Sequence, residues 1–210
     1  AECIRILVDL TNLVKEYLPD LENCEKIMAE IDFHFAKARY AVKLHAVEPE
    51  ITQEKYIYFE NMKHPLLMQV TEDVVANNFE IGKDYKSVII TGSNTGGKTV
   101  TLKTIGLFIL MAKAGMFLPC TYAKLYPFKD VFADIGDSQS ILQSLSTFSA
   151  HMTNIIEILN KSSEESFVLL DEVCAGTDPV EGAVLARGIL EKLAQKQVTS
   201  VITTHYGELK

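Results

Sequence analysis

The sequence predicts an α/β protein with a mostly parallel sheet, preceded by a helical segment. Three observations predict it. Short apolar runs of strand character (56–59, 87–91, 167–170 and 198–204) alternate with longer stretches of helical periodicity (101–116, 149–160 and 181–194), the pattern of a parallel sheet covered on both sides. The run Phe167-Val168-Leu169-Leu170 is apolar at every position, as a strand buried on both faces requires. A glycine-rich string at 92–99 sits between an apolar strand and an apolar helix.

The first segment, 1–47, reads as helical. Ile6, Leu7, Leu10, Leu13, Val14 and Tyr17 recur at helical spacing, and after Pro19-Asp20 so do Leu21, Cys24, Ile27, Met28, Ile31, Phe35, Ala38 and Val42. Two such helices joined by a short turn are expected to form an antiparallel hairpin or an angled pair. The plain reading is a structural appendage linking to a longer N-terminal portion. The texture changes at Val47-Glu48-Pro49, which sets the expected division into 1–47 and 48–210.

Composition narrows the class. The 210 residues are 48% hydrophobic and 23% charged, ordinary for a soluble globular protein. The apolar stretch 105–118 is broken by Gly106, Lys113 and Gly115, so no membrane span is expected. The opening Ala1-Glu2-Cys3 carries no signal-peptide pattern and no initiator Met, which reads as a piece of a longer cytoplasmic chain. A net charge of -8 does not advertise nucleic-acid binding by these residues. Cys3, Cys24, Cys120 and Cys174 form no CxxC pair and are expected to be free, mostly buried thiols rather than zinc ligands.

Gly92-Ser93-Asn94-Thr95-Gly96-Gly97-Lys98-Thr99 fits G-x-x-x-x-G-K-[ST] at every fixed position, with a strand before it and a helix after it. That context is what makes the pattern a phosphate cradle. Glycines let the backbone turn its N–H groups inward, and the next helix presents its positive end to the phosphates. Lys98 supplies a mobile cation, and the Thr99 hydroxyl is a ligand for Mg²⁺. ATP and Mg²⁺ are thus the expected ligands.

The strand ending in Leu170 runs into Asp171 and Glu172. Parallel sheets bind ligands at the C-terminal ends of their strands, so Asp171 is expected to support Mg²⁺. Glu172, facing the other way by strand alternation, is expected to polarise the attacking water. The bland alternative is a solvated acid at a strand end. His205 follows the strand 198–204 and reaches the γ-phosphate if that strand neighbours the one ending in Asp171. A structural histidine is the alternative. Gln139, in the polar loop 134–140, either reaches Mg²⁺ or the water, or is an ordinary loop residue. Ser146, Thr147 or Ser149 either caps the following helix or binds phosphate on another protomer. Ala175-Gly176-Thr177-Asp178-Pro179 is a tight turn into the next helix and a candidate partner contact.

Rival readings lack their own marks. A kinase needs an arginine-rich lid, and residues 103–161 contain no Arg. A GTPase needs Asn-Lys-x-Asp, and Asn160-Lys161-Ser162-Ser163 fails at the last place. A transporter ATPase would carry Leu-Ser-Gly-Gly-Gln, which is missing. An ATP-gated interaction module with little turnover stays open.

Taken together, GSNTGGKT, DIGDSQSI, LSTFSAHM, LLDEVCAGTDP and TTHYGEL resemble the ATPase domain of the MutS family, a branch of the ABC-type P-loop ATPases. TGGKTVTLKT and AGTDP are most similar to the second bacterial branch, whose longer chains carry a C-terminal Smr nuclease domain. The resemblance covers about residues 48–210. It implies phosphate binding through Gly92 to Thr99, a Q-loop place for Gln139, a switch-histidine place for His205 and a base role for Glu172. Ser146 takes the signature place, used in trans against ATP on the other subunit, and Asn94 faces the same interface. Val74 and Asn77 fall where relatives line the adenine pocket, though Val74 stands where an aromatic is common. The implied protein is a homodimer acting on DNA or ribosomes through parts outside this chain, in suppression of recombination and rescue of collided ribosomes. Mismatch repair and nuclease activity are not implied for these residues, and the short chain is expected to dimerise poorly.

Overall fold

The computed structural model describes residues 2–92, 96–136 and 144–206, the side chains of 144–147 excepted. The chain divides into two compact units, Ala1–Lys43 and Leu44–Lys210.

The first unit holds α1 (Glu2–Lys15) and α2 (Leu18–Lys43), and neither helix buries a residue. Of the two expected arrangements, a packed antiparallel hairpin is therefore not formed. Pro19 sits in the first turn of α2, where its missing N–H is not needed and it does not force a reversal. The junction keeps helical hydrogen bonds, Tyr17 N–H to the Val14 carbonyl at 2.9 Å and Leu21 N–H to the Tyr17 carbonyl at 3.0 Å. Cys3 and Cys24 are consequently exposed, whereas Cys120 and Cys174 are buried, so the expectation of mostly buried thiols holds for half of them.

The second unit has two sheets rather than one. Strands β1 (Glu50–Ile51), β2 (Ile57–Met62), β3 (Asn77–Ile81) and β5 (Tyr122–Leu125) form a mixed sheet in the order β1-β5-β2-β3. Here β2 is antiparallel to both β3 and β5, and only β1 with β5 is parallel. Strands β4 (Ser87–Thr91), β6 (Asp130–Asp134), β7 (Ser166–Leu170) and β8 (Thr199–Thr204) form an all-parallel sheet in the order β4-β8-β7-β6. The run near 56–59 thus belongs to the mixed sheet. β3, β5 and β6 were not legible because each is short and interrupted by polar residues.

Helix α3 (Lys98–Lys113) packs against both sheets. It is apolar on most of its circumference because both sides are covered: Phe108 meets Phe59 of the mixed sheet edge-on at 5.1 Å. A Cβ on Gly106 would stand 2.5 Å from Leu169 Cδ1 of the parallel sheet. The other face of the parallel sheet is covered by α4 (Ser144–Lys161) and α5 (Pro179–Gln195). Val168, Leu170 and Ile202 pack there with Ile155, Ile158, Ala186, Ile189 and Leu193. Burial on both faces explains why every residue of β7 and β8 is buried. Among the described residues no helix is long and apolar enough to cross a membrane.

Candidate functional site

The parallel sheet brings four strand exits to one edge. Thr91 pairs with Thr204, Leu170 with Ile202, and Asp134 with Leu170. The residues just beyond, Gly92, Asp171, Glu172 and His205, are neighbours for that reason.

Of the glycine-rich string 92–99, the structure describes Gly92, Gly96, Gly97, Lys98 and Thr99. Ser93, Asn94 and Thr95 lie outside the described residues. Gly97 caps α3 at φ 75° and Gly92 stands at φ 144°, backbone conformations that glycine reaches without steric cost. Lys98 is 4% exposed and donates from Nζ to the Gly92 carbonyl. That bond folds the lysine back to the end of β4.

Asp171 is the junction of the site. Its Oδ1 accepts from the Thr99 hydroxyl at 3.2 Å and from the Thr203 hydroxyl at 2.5 Å. Thr203 Oγ1 also accepts the Glu172 backbone N–H at 2.7 Å, so one β8 hydroxyl holds both acids. Sequence reasoning noted Thr203 only as part of a string. The missed signal was a hydroxyl two residues before His205 on a strand adjacent to the acids. Strand β8 does neighbour β7, and His205 Nε2 lies 3.1 Å from Glu172 Oε1.

The direction of Glu172 has a different cause from the one expected. β7 ends at Leu170, so strand alternation no longer applies. Glu172 and Cys174 instead adopt left-handed backbone, at φ 46° and 60°. Such conformations cost energy outside glycine and persist where surroundings over-determine them. Here the determinants are the Thr203 hydroxyl, the Thr203 carbonyl accepting Val173 N–H at 3.2 Å, and the Tyr206 hydroxyl donating to the Cys174 carbonyl at 2.7 Å. Burial pushes the Cys174 thiol up to about 11 and the Tyr206 phenol above its ordinary range, so both stay neutral.

The turn after the acids ends on Asp178, whose carboxylate accepts from Val180 and Glu181 N–H as the N-cap of α5. Ser146, Thr147 and Ser149 fall inside α4 rather than at its cap, because the helix already starts at Ser144. Gln139 lies outside the described residues, and so does the Ser146 side chain. Val74 lies in the irregular segment before β3, and Asn77 opens β3 opposite Met62, on the mixed sheet.

Among the described residues the Asp171 carboxylate is met by the Thr99 and Thr203 hydroxyls, and carboxylate and hydroxyl oxygens suit a hard cation such as Mg²⁺. Thr99 and Asp171, 3.2 Å apart, are the residues that would hold one. Among the described residues no cluster of three or more His, Cys, Asp or Glu side chains forms a protein-only metal cage.

This edge geometry lies in the segment where comparison with known families is decisive: the description MutS domain V matches residues 88–210. The chain belongs to the MutS family. It is 53% identical over all 210 residues to the endonuclease MutS2 of Geobacillus sp. (strain WCH70). It is 50% identical to that of Alkaliphilus oremlandii and 47% to that of Clostridioides difficile, again over its whole length. It spans 26% of the length of each of these MutS relatives.

Proposed function

We propose that this chain is the ATP-binding and ATP-hydrolysing module of a MutS-type protein, a P-loop ABC-type ATPase that works as an ATP-sandwich homodimer. The observation that carries the reading is the convergence on Asp171 of hydroxyls from α3 and β8, with Glu172 and His205 paired beside it.

ATP phosphates are bound by the backbone of Gly92 to Thr99 and by Lys98, which leaves the Gly92 carbonyl to do so. Thr99 and Asp171, with Gln139, would hold Mg²⁺, which when bound draws charge from the phosphate oxygens. Glu172 takes a proton from water as its oxygen bonds to the γ-phosphorus and the bond to the β–γ bridging oxygen breaks. His205 keeps the Glu172 carboxylate oriented and donates to the phosphate. Val74 and Asn77 line the adenine side. Ser146 and the 175–179 turn complete the ATP held by the other subunit, so the γ-phosphate favours the closed dimer and hydrolysis releases it. The work is done on DNA or ribosomes in the cytoplasm, through parts outside this chain. The nuclease in the relatives' name is assigned to an Smr domain, also outside it.

Sedimentation of Glu172→Gln with and without Mg-ATP tests the reading, on this chain and on the whole natural protein. The expected result is an ATP-dependent dimer in the whole protein. Phosphate release should fall about a hundredfold or more from wild type while ATP stays bound. ATP binding without dimerisation in either form overturns the sandwich. ATP binding with no hydrolysis by wild type turns the assignment to an ATP-gated interaction module.

A further inference from the structure

Asp134 closes β6 and is 7% exposed. All three of its oxygens are engaged, and in two directions. Its backbone carbonyl accepts the Asp171 N–H at 2.9 Å. Its side chain faces α4: Oδ2 lies 2.9 Å from His151 Nδ1, and Oδ1 accepts from Asn154 Nδ2 at 2.8 Å. A carboxylate accepts, so His151 carries its proton on Nδ1. His151 and Asn154 are three residues apart and share one face of α4. Backbone also crowds the imidazole, since a Cβ on Gly136 would stand 3.1 Å from His151 Cε1. Between this pair and the acids lies a cavity of about 20 Å³, lined by Asp134, His151, Asp171 and Glu172 among others, room for about one water.

One residue therefore ties the strand end that carries Asp171 to the helix whose first turn carries Ser146. Charge-assisted hydrogen bonds at both carboxylate oxygens make the tie stiff. We propose that Asp134, through His151 and Asn154, is a positioning residue that transmits the nucleotide state of one protomer's cradle to the first turn of α4 offered to the other protomer. The inference rests on the ATP-sandwich reading above. Neither Asp134 nor His151 touches ATP in it. Their effect is on how α4 is presented.

The test uses His151→Ala in the whole natural protein, with nucleotide affinity, KM and kcat measured separately. Nucleotide affinity and KM are expected to stay within about twofold, while kcat falls about five- to fiftyfold. His151→Gln, which keeps an N–H donor at that position, is expected to recover at least half of the lost turnover. It also carries the test if His151→Ala does not fold. Subunit mixing then locates the effect. His151→Ala keeps Glu172 but offers an impaired α4, whereas Glu172→Gln holds ATP without hydrolysing it and keeps its α4 link. Mixed dimers of the two are expected to regain turnover at the site that carries Glu172, and wild type mixed with a Glu172→Gln/His151→Ala double variant is expected to stay slow. An unchanged kcat in His151→Ala, a His151→Gln that folds but stays at the Ala level, or mixed dimers without recovery each overturns the inference while the sandwich stands. A wild-type protein that remains monomeric with Mg-ATP overturns both.

Discussion

Among the described residues, the two sheets of the Leu44–Lys210 unit have four strands each and opposite characters. In the parallel sheet every strand ends at the same edge, so Gly92, Asp134, Asp171, Glu172 and His205, at or just past the ends of β4, β6, β7 and β8, collect at one place. In the mixed sheet β2 runs against both neighbours, and its strand ends alternate between edges. Apart from Asn77, its contribution is packing: Ile57, Phe59 and Met62 alternate into the core while Tyr58, Glu60 and Asn61 do not. The difference teaches that chemistry concentrates where topology makes strand exits coincide, and that the other sheet supports α3 from behind.

The sharpest break of this comparison is a cavity in the mixed sheet. Phe59 is fully buried between Phe79 and Phe108. Phe59→Ala is expected to cost about 3–5 kcal/mol in unfolding free energy, read by denaturant titration, with ATP turnover per folded molecule unchanged. A specific loss of turnover at full folding would mean that the mixed sheet does more than support.

The converse variant is Thr203→Val, which keeps volume and removes one hydroxyl from the parallel-sheet edge. It leaves Asp171 short of a donor and the Glu172 N–H short of an acceptor. The expected stability loss is about 1–3 kcal/mol. Turnover is expected to fall further than that loss explains, because the left-handed turn at Glu172 loses its main tether. Wild-type kinetics in this variant would show that Tyr206 and the Thr203 carbonyl suffice to hold Glu172.

The smallest effect belongs to the helical unit. Leu10 is 53% exposed on α1, so Leu10→Ser is expected to change the melting of the Leu44–Lys210 unit by less than about 0.5 kcal/mol. A larger change in calorimetry would show that α1 bears on the stability of that unit.

Much of the parallel sheet was legible because its signal is local. Continuous apolar runs at 87–91, 167–170 and 198–204, and the glycine string after the first of them, need no knowledge of partners. The helical unit misled because periodicity reports an apolar stripe, not whether anything covers it. Strand β5 failed for the opposite reason: Tyr122-Ala123-Lys124-Leu125 acquires strand character only when β2 lies beside it.

At the site the same division holds. The sequence by itself determined that a glycine-rich string links β4 to α3 and that two acids follow β7, because glycine and lysine at fixed spacing stand out along one stretch of chain and an apolar strand announces where it stops. Only the tertiary structure decided that Thr203 serves both acids, that His205 meets Glu172, and that Asp134 holds α4 through His151 and Asn154. Each of those contacts joins residues between 17 and 33 apart in the chain, and no local pattern encodes which side chains a sheet of order β4-β8-β7-β6 will bring within hydrogen-bonding distance. The left-handed backbone at Glu172 belongs to the same class. Its cost is local, but the bonds that hold it come from β8 and the residues just after it.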